Sequence, residues 1–201
     1  MPIFGSNRRL RPHTRGFSLI ELLVVIAIIM LISLVMLARY RSFNSSILLR
    51  NLAYEIALST REAQVLGVSV RGAPGSITSP FNYAYGMHFS VGTTYTSFVD
   101  RTDNGQYDTD ASASEALSVY TIGQKNRVSD LCVNNTCGYE AVDVLFKRPE
   151  PDARFHTSPS VSSVTSVRII VGPQDPEETN RRTVRVWPTG QIEVCTSPTC
   201  T

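Results

Sequence analysis

Residues 15–38 read RGFSLIELLVVIAIIMLISLVMLA, and one carboxylate, Glu21, sits near the start of an otherwise apolar run. From Phe17 to Ala38 there are 22 residues, interrupted only by that charge and by Ser18 and Ser33. As a helix rising about 1.5 Å per residue they span roughly 33 Å, against a bilayer core of about 30 Å. A secretory signal has a shorter apolar stretch and a small-x-small cleavage site after it; here Met36 stands two residues before Ala38. The segment reads as a membrane anchor, and a charge at that depth is usually functional.

Outward from this run the charge is uneven. Arg8, Arg9, Arg11 and Arg15 precede Gly16 with no acidic residue among them. The formal charge of +2 is nearly neutral, which argues against a general polyanion binder, and without residues 1–16 it becomes −2. Arg39, Arg41 and Arg50 follow the run, so charge counting alone does not orient it. On the C-terminal side neither Gly nor Pro occurs before Gly67, which predicts one helix of about 50 residues with Gly67 as its C-cap. Leu48 or Leu49, Leu52, Ile56, Ala63 and Leu66 form an apolar stripe for packing on a downstream domain; the heptad is too short for a coiled coil.

Past Gly67, short β-branched runs separated by turn residues predict strands. They are Val68–Arg71, Tyr85–Phe89, Thr94–Val99, Leu117–Ile122, Val142–Phe146, Val164–Val171, Thr183–Trp187 and Gln191–Cys195. Pro188-Thr189-Gly190 reads as a hairpin turn, and Ala73–Pro80 and Lys147–Ser163 as surface loops. The class is α+β: a long helix, apolar in its first half and amphipathic in its second, laid on an antiparallel sheet head.

A basic leader followed by GFSLIELLVVIAII closely resembles the N-terminal signature of type IV prepilins and type II secretion pseudopilins, over residues 15 to about 38. The resemblance implies four segments: a cleaved leader 1–16, a transmembrane and assembly helix 17–38, an amphipathic continuation 39–67, and an exported head 68–201. It further implies that a prepilin peptidase and methyltransferase cuts between Gly16 and Phe17 and methylates the new amine of Phe17. Glu21 would meet the N-terminal amine of a neighbouring subunit during filament assembly. The implied partners are that enzyme, other pilin or pseudopilin subunits and an inner-membrane assembly platform; the implied location is the inner membrane, N-terminus cytoplasmic, and then the filament. One departure stands out: many members carry a kinking proline near the place of Ala38, and this chain has none from Phe17 to Leu66. Length, strand order and closing hairpin make the head resemble the FimT/GspH branch of minor subunits.

Cys132-VNNT-Cys137 and Cys195-TSPT-Cys200 share one spacing, which suits disulfides outside the cytoplasm and a zinc site within it. The export that the resemblance implies favours two local bridges, although four cysteines permit three pairings. Asp100–Asp110, DRTDNGQYDTD, has some features of a calcium loop, but Thr102 and Ala111 stand at ligand positions; an Asn104-Gly105 hairpin turn is the preferred reading. Arg181, Arg182 and Arg185 would contact DNA phosphates in a tip-located minor pilin, while nearby Glu177, Glu178 and Glu193 favour a solvated mixed-charge edge strand. His13, His88 and His156 lie in separate segments without a nucleophile or metal-ligand spacing. No enzyme, cofactor, resident metal or small-molecule substrate is expected.

Overall fold

The computed structural model describes residues 16–69, 82–109, 114–197 and 199–200, with backbone alone for 38–44. The leader through Arg15, the loop Ala73–Pro80, the end of the expected strand Val68–Arg71, and Asp110 and Ala111 lie outside the described residues. The chain divides into two compact units, Met1–Phe43 and Asn44–Thr201.

In the first unit, helix α1 (Leu19–Val68) begins after Ser18, whose Oγ accepts the Glu21 N–H at 3.2 Å. An N-cap serine followed three residues later by glutamate is a capping-box sequence, and it satisfies one of the otherwise orphaned N–H groups of the first turn. Leu19–Leu37 is long and apolar enough to cross a membrane, and every side chain from Gly16 to Leu37 is exposed. Nothing interrupts the hydrogen-bonded backbone through the position where a kinking proline was missing.

In the second unit, α1 supplies Leu49, Leu52, Ala53, Ile56 and Ala63 to the core. These steps of three and four keep one face inward, as the apolar stripe predicted. The strands are β1 (Ala84–Ser90), β2 (Thr94–Asp100), β3 (Ala116–Thr121), β4 (Asn126–Val133), β5 (Thr136–Cys137), β6 (Ala141–Phe146), β7 (Ala153–Ser158), β8 (Val167–Pro173), β9 (Arg182–Val186) and β10 (Ile192–Cys195). They form two antiparallel sheets rather than one: sheet A, in the order β3-β2-β1-β6-β7, and sheet B, in the order β10-β9-β8-β4-β5. Met87, Phe89, Val142, Val144 and Phe146 of sheet A join Leu131, Val167, Ile169, Val184 and Val186 of sheet B and the helix in one core. A two-way backbone bridge between Gly92 and Val128 (3.1 and 2.8 Å) ties the β1–β2 turn to β4.

Three local expectations change. Val68 is helical, and Gly67 lies inside the helix rather than capping it. A Cβ at Gly67 would stand 2.3 Å from the Phe146 carbonyl oxygen, so the glycine allows a close approach of two backbones; its own carbonyl accepts the Arg148 N–H at 3.2 Å. The Lys147–Ser163 segment holds strand β7, with Pro149, Pro151 and Pro159 just beyond its ends, where proline removes no ladder hydrogen bond. The expected β9–β10 hairpin forms, with Gly190 at φ +76° in its turn. There the Gln64 side-chain amide donates to the carbonyls of Pro151 (2.8 Å) and Gly190 (3.1 Å), joining the helix to two loops.

Tyr95 is 2% exposed, stacks on Tyr120 with ring centres 4.8 Å apart, and points its hydroxyl at Glu55 (3.5 Å). Burial pushes the phenol from 10.0 up to about 12; the Ser59 hydrogen bond pulls the other way and the Glu55 charge adds to the rise. The folded state therefore holds this proton more tightly, a stabilisation complete below pH 10 and lost as pH climbs through about 12. Over that window wild-type unfolding free energy should fall about 2 to 3 kcal/mol further than that of Tyr95→Phe. Urea unfolding at stepped pH measures the difference, and parallel curves would refute the assignment.

Candidate assembly site

Gly16 lies before the helix, and nothing stands within 4 Å of a Cβ added there. Among the described residues nothing packs against this position so as to demand glycine, in contrast to Gly67. Phe17 is 83% exposed, and Glu21 sits in the first helical turn, where the partial positive charge of the helix N-terminus favours a carboxylate. Among the described residues Glu21 makes no salt bridge. Among the described residues the segment thus presents an acid without a salt bridge and an exposed Gly-Phe bond at the head of an exposed apolar helix.

The cysteines form Cys132–Cys137 and Cys195–Cys200. The first joins directly opposed residues of β4 and β5, with Cα atoms 3.9 Å apart. Asp130 stands beside this pair, yet both sulfurs are bonded to each other and its Oδ1 accepts the N–H groups of Leu131 (2.8 Å) and Gly138 (3.0 Å). The disulfide leaves no thiolate at that position to ligate a metal.

The acidic Asp100–Asp108 stretch is not a tight hairpin. It belongs to a long connection between β2 and β3, and the positive φ falls on Asp103 and Gly105 rather than on Asn104 and Gly105 together. Asp100 Oδ1 accepts the Asn104 N–H (3.1 Å) and Oδ2 the Gly105 N–H (2.9 Å). The fully buried Glu115 accepts the N–H groups of Arg101 (2.7 Å), Thr102 (3.2 Å) and Asp108 (3.1 Å). These carboxylates brace backbone, and the braced loop lays Tyr107 over Ala84, Phe98 and Leu145 on the outer face of sheet A.

Sequence reasoning missed the feature next to it. His88, Asp143 and His156 are directly opposed on β1, β6 and β7, so register brings distant segments together. Asp143 is 4% exposed; Oδ1 meets His88 Nδ1 at 2.6 Å, and Oδ2 meets His156 Nδ1 at 3.3 Å and accepts the Tyr107 N–H at 3.1 Å. The cluster fixes the loop to the sheet, and a period-of-two alignment of three strands was the only signal that would have revealed it.

Arg181, Arg182 and Arg185 are half-buried, and β9 is an interior strand of sheet B, not an edge. Arg182 Nη1 donates to Asn180 Oδ1 (3.2 Å) and to the carbonyls of Arg181 (2.9 Å) and Thr196 (3.2 Å). Arg185 stacks over Trp187 at 4.6 Å, opposes Glu193 in register and donates to the Cys200 carbonyl at 3.5 Å. The Arg182 and Arg185 guanidinium groups are engaged in holding the head.

No curated protein and no solved structure matches the chain. Residues 11–37 match the family model of the prokaryotic N-terminal methylation motif, which spans the end of the basic leader, the Gly16-Phe17 bond, Glu21 and the apolar helix. That motif, on a chain whose long helix is followed by an antiparallel α+β head, supports a relation to the type IV pilins and pseudopilins.

Proposed function

We propose that the chain is a minor subunit of a type IV pilus or type II secretion pseudopilus, of the FimT/GspH kind, whose work is to join or prime a filament. A prepilin peptidase removes residues 1–16, and the amine of Phe17 is methylated. The apolar helix holds the subunit in the inner membrane with its N-terminus in the cytoplasm and its head outside. It then transfers into the filament, where Glu21 pairs with the N-terminal amine of a neighbour. The subunit is structural rather than enzymatic, and its partners are the processing enzyme, other subunits and the assembly platform.

The observation that carries this reading is the methylation motif at residues 11–37, set on a glycine that the chain's own packing does not require. A glycine free of structural duty fits a protease that needs close access to the backbone. Intact-mass spectrometry of the membrane-extracted protein is expected to show loss of residues 1–16 and one added methyl group on Phe17. A full-length, unmethylated N-terminus in cells with an active peptidase would overturn it. The tip-located DNA-binding reading draws no support from Arg181, Arg182 and Arg185, because Arg182 and Arg185 donate to the chain's own carbonyls.

A further inference from the structure

The sheet edges of the head differ in how they are protected. β5 has two residues and a disulfide, β10 carries Glu193 and ends at the Cys195–Cys200 bridge, and β7 carries Arg154 between Pro151 and Pro159. Short length, charge and flanking proline are common ways of keeping an edge from pairing with another chain. The remaining edge, β3, reads ALSVYT: it has neither charge nor proline, and Val119 is 61% exposed. Its register irregularity falls at Leu117, leaving Ser118–Thr121 regularly opposite Thr94–Ser97. Among the described residues no strand pairs with its outer side.

Two clefts open along the seam between β3 and α1. One is lined by Ser59, Glu62, Leu117, Ser118 and Tyr120, the other by Asn51, Glu55, Tyr95, Thr121 and Gly123. Ser118 and Tyr120 face this side, so alternate side chains of a strand added to β3 would enter the same seam. The helix offers one acid to each cleft. Glu55 and Glu62, seven residues apart, share a helix face at a spacing of about 10 Å. Both are exposed, and among the described residues neither is in a salt bridge.

We propose that β3 is an acceptor edge, which takes an extended basic segment of a partner protein as a sixth strand of sheet A. Main-chain hydrogen bonds along Ser118–Thr121 would provide affinity, and lysine or arginine side chains on the inward face would reach Glu55 and Glu62. Inward positions two and four residues apart on a strand are separated by about 7 and 13 Å, which brackets the acid spacing. The uncharged edge opposes no such partner. This inference is independent of the assembly reading, since it concerns the head alone.

The test uses the full chain in detergent micelles and a synthetic acetylated and amidated peptide, TKVKTKVKT, with a control in which every lysine is glutamate. The lysine peptide is expected to slow amide hydrogen exchange within Ala116–Thr121, and the control to leave it unchanged. Val119→Pro, or Val119→Lys if the proline variant does not fold, should weaken binding by about tenfold or more, and Glu55→Gln with Glu62→Gln by about tenfold. Equal binding of the two peptides, or unchanged affinity in the folded edge variant, would overturn the proposal. So would protection of β3 that grows with protein concentration in the absence of peptide, which would assign the edge to a second copy of the chain.

Discussion

Gly67→Ala is expected to destabilise the head by about 3 kcal/mol, the upper part of the range for forcing extra volume into a packed site. The added methyl would meet the Phe146 carbonyl oxygen at 2.3 Å, its carbonyl carbon at 2.8 Å and its Cβ at 2.9 Å. Two of these three atoms are backbone in a strand paired on both sides, so a side-chain rotation does not relieve the contact. Separating α1 from β6 would also strain the Arg148 N–H bond to the Gly67 carbonyl. For a head of this size the loss corresponds to a drop of roughly 6–12 °C in the midpoint of thermal unfolding. Calorimetry of the purified full chain measures it. Ala substituted at Gly123, where nothing lies within 4 Å of an added Cβ, is the control and should shift the midpoint little. If both variants melt together, the close approach at Gly67 does not govern stability.

The second large effect is expected at Glu21, and it separates two roles that coincide in the first turn. As part of a capping box the residue helps to start the helix, and glutamine serves there almost as well as glutamate. As the partner of a neighbouring amine it must carry charge. Glu21→Gln is therefore expected to leave leader removal and the membrane-bound subunit intact, yet to reduce incorporation into filaments beside wild-type subunits by about tenfold or more; Glu21→Ala should do the same. A buried or lipid-facing amine left without its carboxylate is costly enough for an effect of that size. Recovery of sheared filaments followed by immunoblotting gives the incorporated fraction. If Glu21→Gln assembles like wild type, the residue acts through helix capping and the charge-pair role is wrong.

Much of this protein was legible from local pattern. The 50-residue helix followed from the absence of Gly and Pro before Gly67, and its buried face from Leu49, Leu52, Ile56 and Ala63. Strands rich in β-branched residues, such as β8 and β9, were visible from composition. β4 was not, because Arg127, Ser129 and Asp130 break its apolar alternation while a register shift between Val128 and Asp130 keeps it paired with β8. β7 was hidden by prolines that turned out to bound it rather than interrupt it. Two sheets instead of one, and the His88–Asp143–His156 row, depend on long-range register, which single-residue preferences do not contain. The methylation-motif segment was the most legible part because its signals are contiguous: the basic residues, Gly16-Phe17, Glu21 and the apolar helix occupy one stretch. The outward candidates were harder to read for the opposite reason, since the backbone partners of Asp100 and Arg182 come from the fold and not from a contiguous pattern.

The last turns of α1 also have a mechanical meaning. Gly67 touches the end of β6 through backbone, and Gln64 grips the loops at Pro151 and Gly190, so the attachments lie in two separated stretches of the sequence, Phe146 to Pro151 and the β9–β10 turn. Tension along the helix is therefore delivered to the middle of sheet A and to the β9–β10 turn at once. These contacts must yield together, as a shear, instead of opening one after another like a zipper. A subunit pulled by its helix would carry its head as a load shared among several strands, with no single link bearing the whole force.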